Sequence, residues 1–429
     1  MDKIKKNKIK PQPPATVQNF PIVGIGASAG GLDAFKRLLE AIPENSGMAY
    51  VLVQHLDPNH ESILPEILQR VTKIPVHEIT DDIHLAPDHI YIIPSNKILT
   101  STDGVLQLTP RDKNIINYSI DIFFTTLAEV HKEFAVGVVL SGAGSDGTKG
   151  LKAIKEHGGI SIVQDSESAA YDSMPTSAVD AGVVDFILAP EKIPAKLLQI
   201  NSTYKTSHFF KKEEELPKDD EAIFKQILLL LHQRSGVDFT FYKQPTFHRR
   251  IARRIAIVKK KNLAEYLKFL RTDKAEQDAL FQDVLIPVTS FFRDPKTFDA
   301  LIKTVFPSLI KNRSSNEAIR VWIAGCSTGE EAYTIAIALH EYISAARGNS
   351  PLSIGEGQRV KLQVFATDIS EKAIKKARAG VYSKADVEKL SETQLKKYFT
   401  KNNDGYEVNK IIRDMCVFAP HNFLKDPPF

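Results

Sequence analysis

A chain of 429 residues is longer than one ordinary domain and predicts two or three. Its composition, 43% hydrophobic and 25% charged, is typical of a soluble globular protein. No apolar run approaches the roughly 18 residues of a membrane span, and a net charge of +4 is too small to indicate nucleic-acid binding.

The first 20 residues are basic and rich in lysine and proline. They lack the apolar core of a signal peptide, which predicts a disordered, solvated tail. The two cysteines, Cys326 and Cys416, are far apart in the sequence and provide no disulfide framework. This usage favours the reducing cytoplasm.

Strand and helix patterns alternate from residue 21 to about residue 195. Short apolar runs predict strands at IVGIG, YVLVQH, IYIIP, VGVVLSG and ISIVQ, with helical spacing between them. This alternation is typical of a doubly wound α/β domain, in which helices cover both faces of a parallel sheet.

The rest of the chain predicts a linker, a small helical domain and a second α/β domain. Residues 196–220 are polar and charged, and residues 221–284 show helical spacing around FHRRIARRIAIVKKK. Residues 285–429 form the second α/β pattern, which is Rossmann-like. Three apolar runs predict its strands, at 319–325, 360–368 and 415–420.

Ser28 lies in the small-residue turn GASAGG between the first predicted strand and the first predicted helix. A helix N-terminus presents free N–H groups and the positive end of its dipole, which stabilise an oxyanion. The turn therefore suits either a nucleophile or a phosphate group.

His55 ends the second predicted strand, and Asp146 follows the fourth within LSGAGSDGTKG. Ligands of open parallel sheets bind at the carboxyl ends of the strands, so Ser28, His55 and Asp146 are expected on one edge. A hydroxyl, an imidazole and a carboxylate at one edge predict a nucleophile, its base and the group that orients the base.

Other interpretations fit parts of this pattern. Taken singly, the three residues are a helix cap, a strand-end histidine and a turn aspartate. GIGASA also fits a dinucleotide fingerprint, but His55 stands where that fingerprint needs an acidic residue. The α/β-hydrolase elbow G-x-S-x-G fits too, but it follows several strands and would need a later histidine such as His157.

Residues 20–190 resemble the catalytic domain of the CheB protein-glutamate methylesterases in IGASAGG, VLVQHLDP, APDHIYIIPSN, LSGAGSDGTKG and SMPTSAV. The resemblance implies that Ser28, His55 and Asp146 form a catalytic triad that needs no cofactor. It also implies a glutamyl methyl ester on a chemoreceptor as the substrate. Many members have threonine at the position of Ala29 and methionine at the position of Ala143.

In the second α/β pattern, VWIAGCSTGEEAYTIA predicts a strand, a close turn and a helix that begins with Glu330 and Glu331. Acidic residues there favour a cationic ligand group, such as the ammonium of S-adenosylmethionine. Asp368 follows the next strand, where its carboxylate is placed to accept hydrogen bonds from ribose hydroxyls. The structural alternative is that the glutamates only stabilise the helix N-terminus.

Residues 221–429 resemble the CheR chemoreceptor methyltransferases in VTSFFRD, WIAGCSTGEEAYTIA, FATDIS, GVYS and HNFL. The resemblance implies that S-adenosylmethionine is bound by Thr289, Arg293, Glu331, Asp368 and Asn422. The predicted cofactor site also includes Glu330 and Phe423. Pro287 stands where some members have asparagine. The charged face of the helix around Arg249–Arg254 is most simply solvated, and the resemblance implies that it docks on an acidic receptor helix.

Only three strands of an expected seven precede Phe429, so the methyltransferase domain is expected to be incomplete and to bind S-adenosylmethionine weakly or not at all. The sequence thus predicts a bifunctional receptor-modification protein with an active esterase. It acts on a chemoreceptor or similar coiled coil, without metal, nucleic acid or membrane insertion. A receptor-binding scaffold without catalysis is the alternative.

Overall fold

The computed structural model describes most of the chain, and every structural statement below concerns the described residues. These are 20–54, 63–80, 82–102, 105–111, 118–206, 217–285, 289–311, 318–349, 362–383, 386–387, 390–402, 405–423 and 425–427. The chain divides into two compact units, Met1–Val284 and Leu285–Phe429. Within the described residues, no helix is both long enough and apolar enough to cross a bilayer.

A parallel sheet of seven strands forms the centre of the first unit. The strands are β1 (Ile22–Ala27), β2 (Ala49–Gln54), β3 (Val76–Glu78), β5 (His89–Ile92), β8 (Ala135–Val139), β9 (Ile160–Gln164) and β10 (Phe186–Leu188). Their order across the sheet is β10-β9-β8-β1-β2-β5-β3. Because β1 pairs with both β8 and β2, the residues after β1 lie at the middle of the carboxyl edge.

Helices cover both faces of this sheet, which confirms the predicted doubly wound α/β fold. They are α1 (Gly31–Glu40), α2 (Leu64–Gln69), α3 (Ser119–His131), α4 (Thr148–Glu156), α5 (Ser173–Asp180) and α6 (Ile193–Thr206). Short 3-10 turns occupy Lys132–Phe134 and Pro190–Lys192. Glycines in β1 let α3 approach closely, since a Cβ at Gly24 would come 2.8 Å from the Phe124 ring.

A small antiparallel sheet that the sequence did not predict stands beside the main sheet. Its strands are β4 (Ile83–His84), β6 (Lys97–Thr102) and β7 (Val105–Pro110) in the order β4-β7-β6.

Four further helices complete the first unit: α7 (Lys218–Ser235), α8 (Gln244–Ile257), α9 (Leu263–Thr272) and α10 (Lys274–Val284). Ala252 and Ala256 of α8 belong to the same apolar core as α1 and α6. The chain predicted as a linker from residue 196 is helical as far as Thr206, because α6 continues the α/β fold.

Helix α8 buries much of its positive charge, so the prediction that all of its arginines face solvent or a receptor is wrong. Arg253 is fully buried, and its guanidinium bonds to Asp185, Asp283 and the Gly159 carbonyl. Arg250 donates to the carbonyls that end α4. Buried carboxylates satisfy Arg253 and backbone carbonyls satisfy Arg250, in place of an external acidic partner.

The second unit contains a parallel sheet of three strands, in the order β11-β12-β16. They are β11 (Ile319–Ala324), β12 (Leu362–Asp368) and β16 (Cys416–Pro420), next to a small antiparallel sheet of β13 (Val381–Tyr382), β14 (Phe399–Asn402) and β15 (Gly405–Val408). Its helices are α11 (Pro295–Ala300), α12 (Phe306–Lys311), α13 (Glu330–Asn349), α14 (Glu371–Ala379), α15 (Glu392–Tyr398) and α16 (Lys410–Arg413). A π-helical turn at Leu301–Val305 joins α11 to α12.

Candidate functional site

Ser28 is the first residue after the central strand β1, and it is half-buried. The chain turns there through Gly30 in the left-handed conformation (φ 74°), and the Gly31 N–H donates to the Ser28 carbonyl at 2.9 Å. A cavity of about 560 Å³ opens beside the turn. It is lined by Ser28, Ala29, Gly30, Gly31, Leu32, Asp33, Lys36 and Gln54.

Ser141, two residues after the adjacent strand β8, fixes the position of this turn. Its carbonyl accepts the Ser28 N–H at 3.0 Å, and its hydroxyl donates to the Ala29 carbonyl at 2.8 Å. The Ser141 hydroxyl also accepts the Tyr171 N–H at 3.0 Å. The sequence analysis missed this residue, although its place at the end of the fourth apolar run put it on the same edge as Ser28.

Gly142 and Met174 lie against the Ser28 side chain. A Cβ built on Gly142 would come 3.0 Å from the Ser28 Cβ and would overlap the Met174 sulfur. Met174 is fully buried at the start of α5. Glycine is therefore required at position 142 for the serine to fit beneath this methionine, and neither neighbour was predicted.

Asp146 is buried, with 3% of its surface exposed, and backbone donors converge on its carboxylate. The N–H groups of Ile120 and Asp121, at the N-terminus of α3, donate at 3.1 and 2.9 Å. The Gly147 N–H donates at 2.9 Å. Fixed donors and a helix dipole stabilise a negative charge in this position.

Asp121, which the sequence analysis missed, is a second buried carboxyl group beside Asp146. It is 6% exposed and accepts the Gly150 N–H, in the first turn of α4, at 2.8 Å. Burial, together with the negative charge of Asp146, raises the pKa of Asp121 to about 7. The sequence signal that could have revealed Asp121 was an acidic residue within the otherwise apolar run IDIFF.

His55, the predicted base, lies outside the described residues. The residue before it, Gln54, ends β2 and is paired with Ala27, the residue before Ser28. The strands that directly precede the predicted nucleophile and base in the chain are therefore adjacent and parallel.

The turn between β11 and α13 forms the second candidate site. Three of its residues have positive φ: Gly325 (75°), Ser327 (52°) and Gly329 (97°). The Asp368 carboxylate accepts the Ser327 N–H and the Ser370 N–H, each at 2.8 Å. Asp368 therefore ties this turn to the carboxyl end of β12.

The two predicted glutamates of α13 have different environments. Glu330 is 1% exposed and accepts the Thr328 hydroxyl at 2.6 Å, so its side chain supports the turn from inside. Glu331 is exposed at the helix N-terminus. A ligand above the turn could contact the Glu331 carboxylate directly, whereas Glu330 would act through the loop.

The remaining predicted ligand residues come from two other segments. Thr289 is half-buried and Arg293 is exposed, and the intervening Phe292 N–H donates to the Thr334 hydroxyl on α13 at 3.3 Å. The segment after β16 lies against Asp368, whose carbonyl accepts the His421 N–H at 3.0 Å. In that segment Asn422 is half-buried and Phe423 is 66% exposed. Phe423 packs against Trp322 of β11, with 5.7 Å between the ring centroids and 42° between the ring planes.

Across the described part of the chain, no three histidine, cysteine, aspartate or glutamate side chains are grouped closely enough to hold a metal ion.

Comparison with known proteins identifies the α/β part of the first unit. Residues 23–197 match the family model for the CheB methylesterase domain. A putative protein-glutamate methylesterase/protein-glutamine glutaminase of Leptospira interrogans is 35% identical over 185 residues, which are 43% of this chain and 96% of that protein. The chain belongs to the CheB methylesterase family.

The CheB methylesterase domain is joined in this chain to two segments of another family. Residues 222–285 match the all-alpha domain of CheR methyltransferases, and residues 287–429 match their SAM binding domain. Both family resemblances predicted from the sequence motifs are therefore confirmed. Residues 222–285 match a CheR domain but fold into the same compact unit as the CheB domain.

Other relatives differ in length. An uncharacterized 104.1 kDa protein of Rhodobacter capsulatus is 35% identical over 389 residues, which cover 85% of this chain. The chain spans 39% of the length of that relative. The crystal structure of the Thermotoga maritima CheB methylesterase catalytic domain is 30% identical and covers 42% of this chain and 98% of that one, with a TM-score of 0.39.

Proposed function

We propose that this protein hydrolyses glutamyl methyl esters on a chemoreceptor-type protein, with Ser28 as nucleophile, His55 as base and Asp146 as the orienting acid. The observation that carries the proposal is the position of Ser28, at the end of the central strand, over a helix N-terminus and beside an open cavity. Membership of the CheB family supplies the ester as the class of substrate.

The proposed reaction has two halves. His55 takes the proton of the Ser28 hydroxyl, whose oxygen attacks the ester carbonyl, and Asp146 stabilises the resulting imidazolium. The imidazolium then gives its proton to the departing methoxy group, so methanol leaves and an acyl–serine ester remains. A water molecule, activated by His55, attacks that ester and releases the glutamate carboxylate and the free Ser28.

Charge on the carbonyl oxygen must be stabilised during both halves. The backbone N–H groups of the Ser28 turn and of Ala143–Gly144 are the candidate donors, because both segments lie at the carboxyl edge beside Ser28. The side chains of Ala29 and Ala143 are both exposed and have no hydrogen-bond donor, so at these two positions only the backbone contributes to this stabilisation.

For the second unit we propose a weak site for S-adenosylmethionine, which would supply an activated methyl group when bound. The open turn fits such a ligand, since a Cβ at Gly325 would meet nothing within 4 Å. Asp368 would accept ribose hydroxyls, Glu331 would face the ammonium group and Phe423 would cover the base, with Thr289, Arg293 and Asn422 around them. Glu330 would hold the turn from beneath.

Methanol release tests the esterase proposal against a receptor-binding scaffold. The full chain is incubated with a receptor helix peptide that carries a ¹³C-labelled glutamyl methyl ester, and free methanol is followed by NMR. We expect methanol to accumulate above the protein-free blank. Binding of the peptide without any release would instead establish the scaffold function and refute the esterase.

A further inference from the structure

The N-termini of α3 and α4 are linked by two aspartates that cap each other's helices. Asp146, just before α4, accepts the first N–H groups of α3. Asp121, in the first turn of α3, accepts the Gly150 N–H of α4. The two carboxyl groups are consequently buried side by side, each at the positive end of the other's helix.

This arrangement determines where Asp146 is held. Its own turn passes through Gly147 in the left-handed conformation (φ 93°), directly before α4. A Cβ at Gly147 would come 2.7 Å from Val139, so the turn packs tightly on the end of β8. The bond from Asp121 fixes the other side of the same turn, and a shift of α4 would move Asp146.

We propose that Asp121 is a positioning residue of the esterase, which holds the turn that carries Asp146 and adds a second negative charge beside it when ionised. This proposal rests on the proposed esterase function. Asp121 does not touch the substrate, and it acts on the reaction through Asp146.

The charged groups that face Asp121 set the pH at which its charge changes. Burial and then the Asp146 carboxylate raise the pKa of Asp121, whereas the Gly150 N–H, the Lys149 ammonium and the Gly147 N–H lower it, with a result of about 7. Asp121 is therefore mostly protonated below this pH and mostly ionised above it. An added negative charge beside Asp146 stabilises the imidazolium that forms on His55. Asp121 therefore increases the rate only at the higher pH, where it is ionised.

The test compares the pH dependence of kcat/KM for methanol release between the wild type and Asp121→Asn. The amide keeps an oxygen for the Gly150 N–H but cannot ionise. We expect equal rates at pH 6 and a wild-type rate about fivefold higher at pH 8.5. Glu129→Gln removes an exposed carboxylate from the same helix and should follow the wild type at every pH.

A second variant keeps the test decisive if Asp121→Asn does not fold. Lys149→Met removes a cation that lowers the pKa of Asp121, so the pH at which kcat/KM rises should be higher for this variant than for the wild type. Suppose that the wild type releases methanol but its kcat/KM exceeds that of Asp121→Asn by the same factor at every pH. That result, or an unchanged pH profile in Lys149→Met, overturns the positioning role alone. A wild type that releases no methanol at any pH overturns the esterase function and this role with it.

Discussion

Replacing Arg253 by methionine should unfold the first unit at lower denaturant concentration. The guanidinium is fully buried and bonds to Asp185 and Asp283, whose side chains are only 5% and 9% exposed. Removal of one partner from a buried ion pair typically costs about 3–5 kcal/mol, because the remaining charge has lost both its partner and its water.

The structure places the expected cost near the lower end of that range. Lys155 and Arg254 lie 3.8 Å from Asp185 and Asp283, respectively, and would partly compensate the two carboxylates. A loss of about 3 kcal/mol, with a urea m-value of about 3 kcal/mol per molar, lowers the unfolding midpoint by roughly 1 M.

Two optical signals separate the units in this experiment. Trp322 is the only tryptophan in the sequence and belongs to the second unit, so its fluorescence follows that unit alone. Far-UV circular dichroism follows both. We expect Arg253→Met to lower the dichroism transition of the first unit and to leave the Trp322 transition unchanged.

Arg234→Met is the matched control. Arg234 is also paired with a carboxylate, donating two hydrogen bonds to Asp278, but these side chains are 41% and 57% exposed. Its removal should cost no more than about 1 kcal/mol. Equal midpoints for the Arg253 and Arg234 variants would refute the argument that α8 is anchored to the α/β fold by buried charge.

Two further predictions concern the candidate sites. Gly142→Ala should lower kcat/KM for methanol release about tenfold or more, because the new methyl group pushes Met174 and Ser28 apart. A variant with wild-type kinetics would contradict the packing described for this serine. Asp368→Ala should abolish binding of S-adenosylmethionine, measured by isothermal titration, whereas exposed Glu392→Ala on α15 should bind like the wild type. If the two variants bind equally, Asp368 is not part of that site.

The main sheet could be predicted because its strands are buried on both faces. Such strands appear in sequence as continuous β-branched runs, and β1 is buried at every residue. Ser28 and Asp146 could then be assigned to one edge from topology alone, since both follow parallel strands. The antiparallel strands β6 and β7 were missed because most of their residues are only partly buried, although the Asp-Gly pair at positions 103 and 104 of the sequence was an available hairpin signal.

The role of α8 could not be predicted from its own residues. An amphipathic pattern with arginines looks the same whether the arginines reach water or acidic partners. The partners of Arg253 are 68 and 30 residues away in the sequence, so only the fold reveals the pairing. The Asp121–Asp146 pair was missed for the same reason, since 25 residues separate the two carboxyl groups.

The central claim is that the Ser28 hydroxyl is the nucleophile of a methylesterase. The most direct measurement is methanol release from the methylated receptor peptide by the wild type, Ser28→Ala and Ser145→Ala, where Ser145 is an exposed serine on the same edge. We predict release by the wild type and Ser145→Ala, and none above the blank by Ser28→Ala. Equal release by the wild type and Ser28→Ala would contradict the claim.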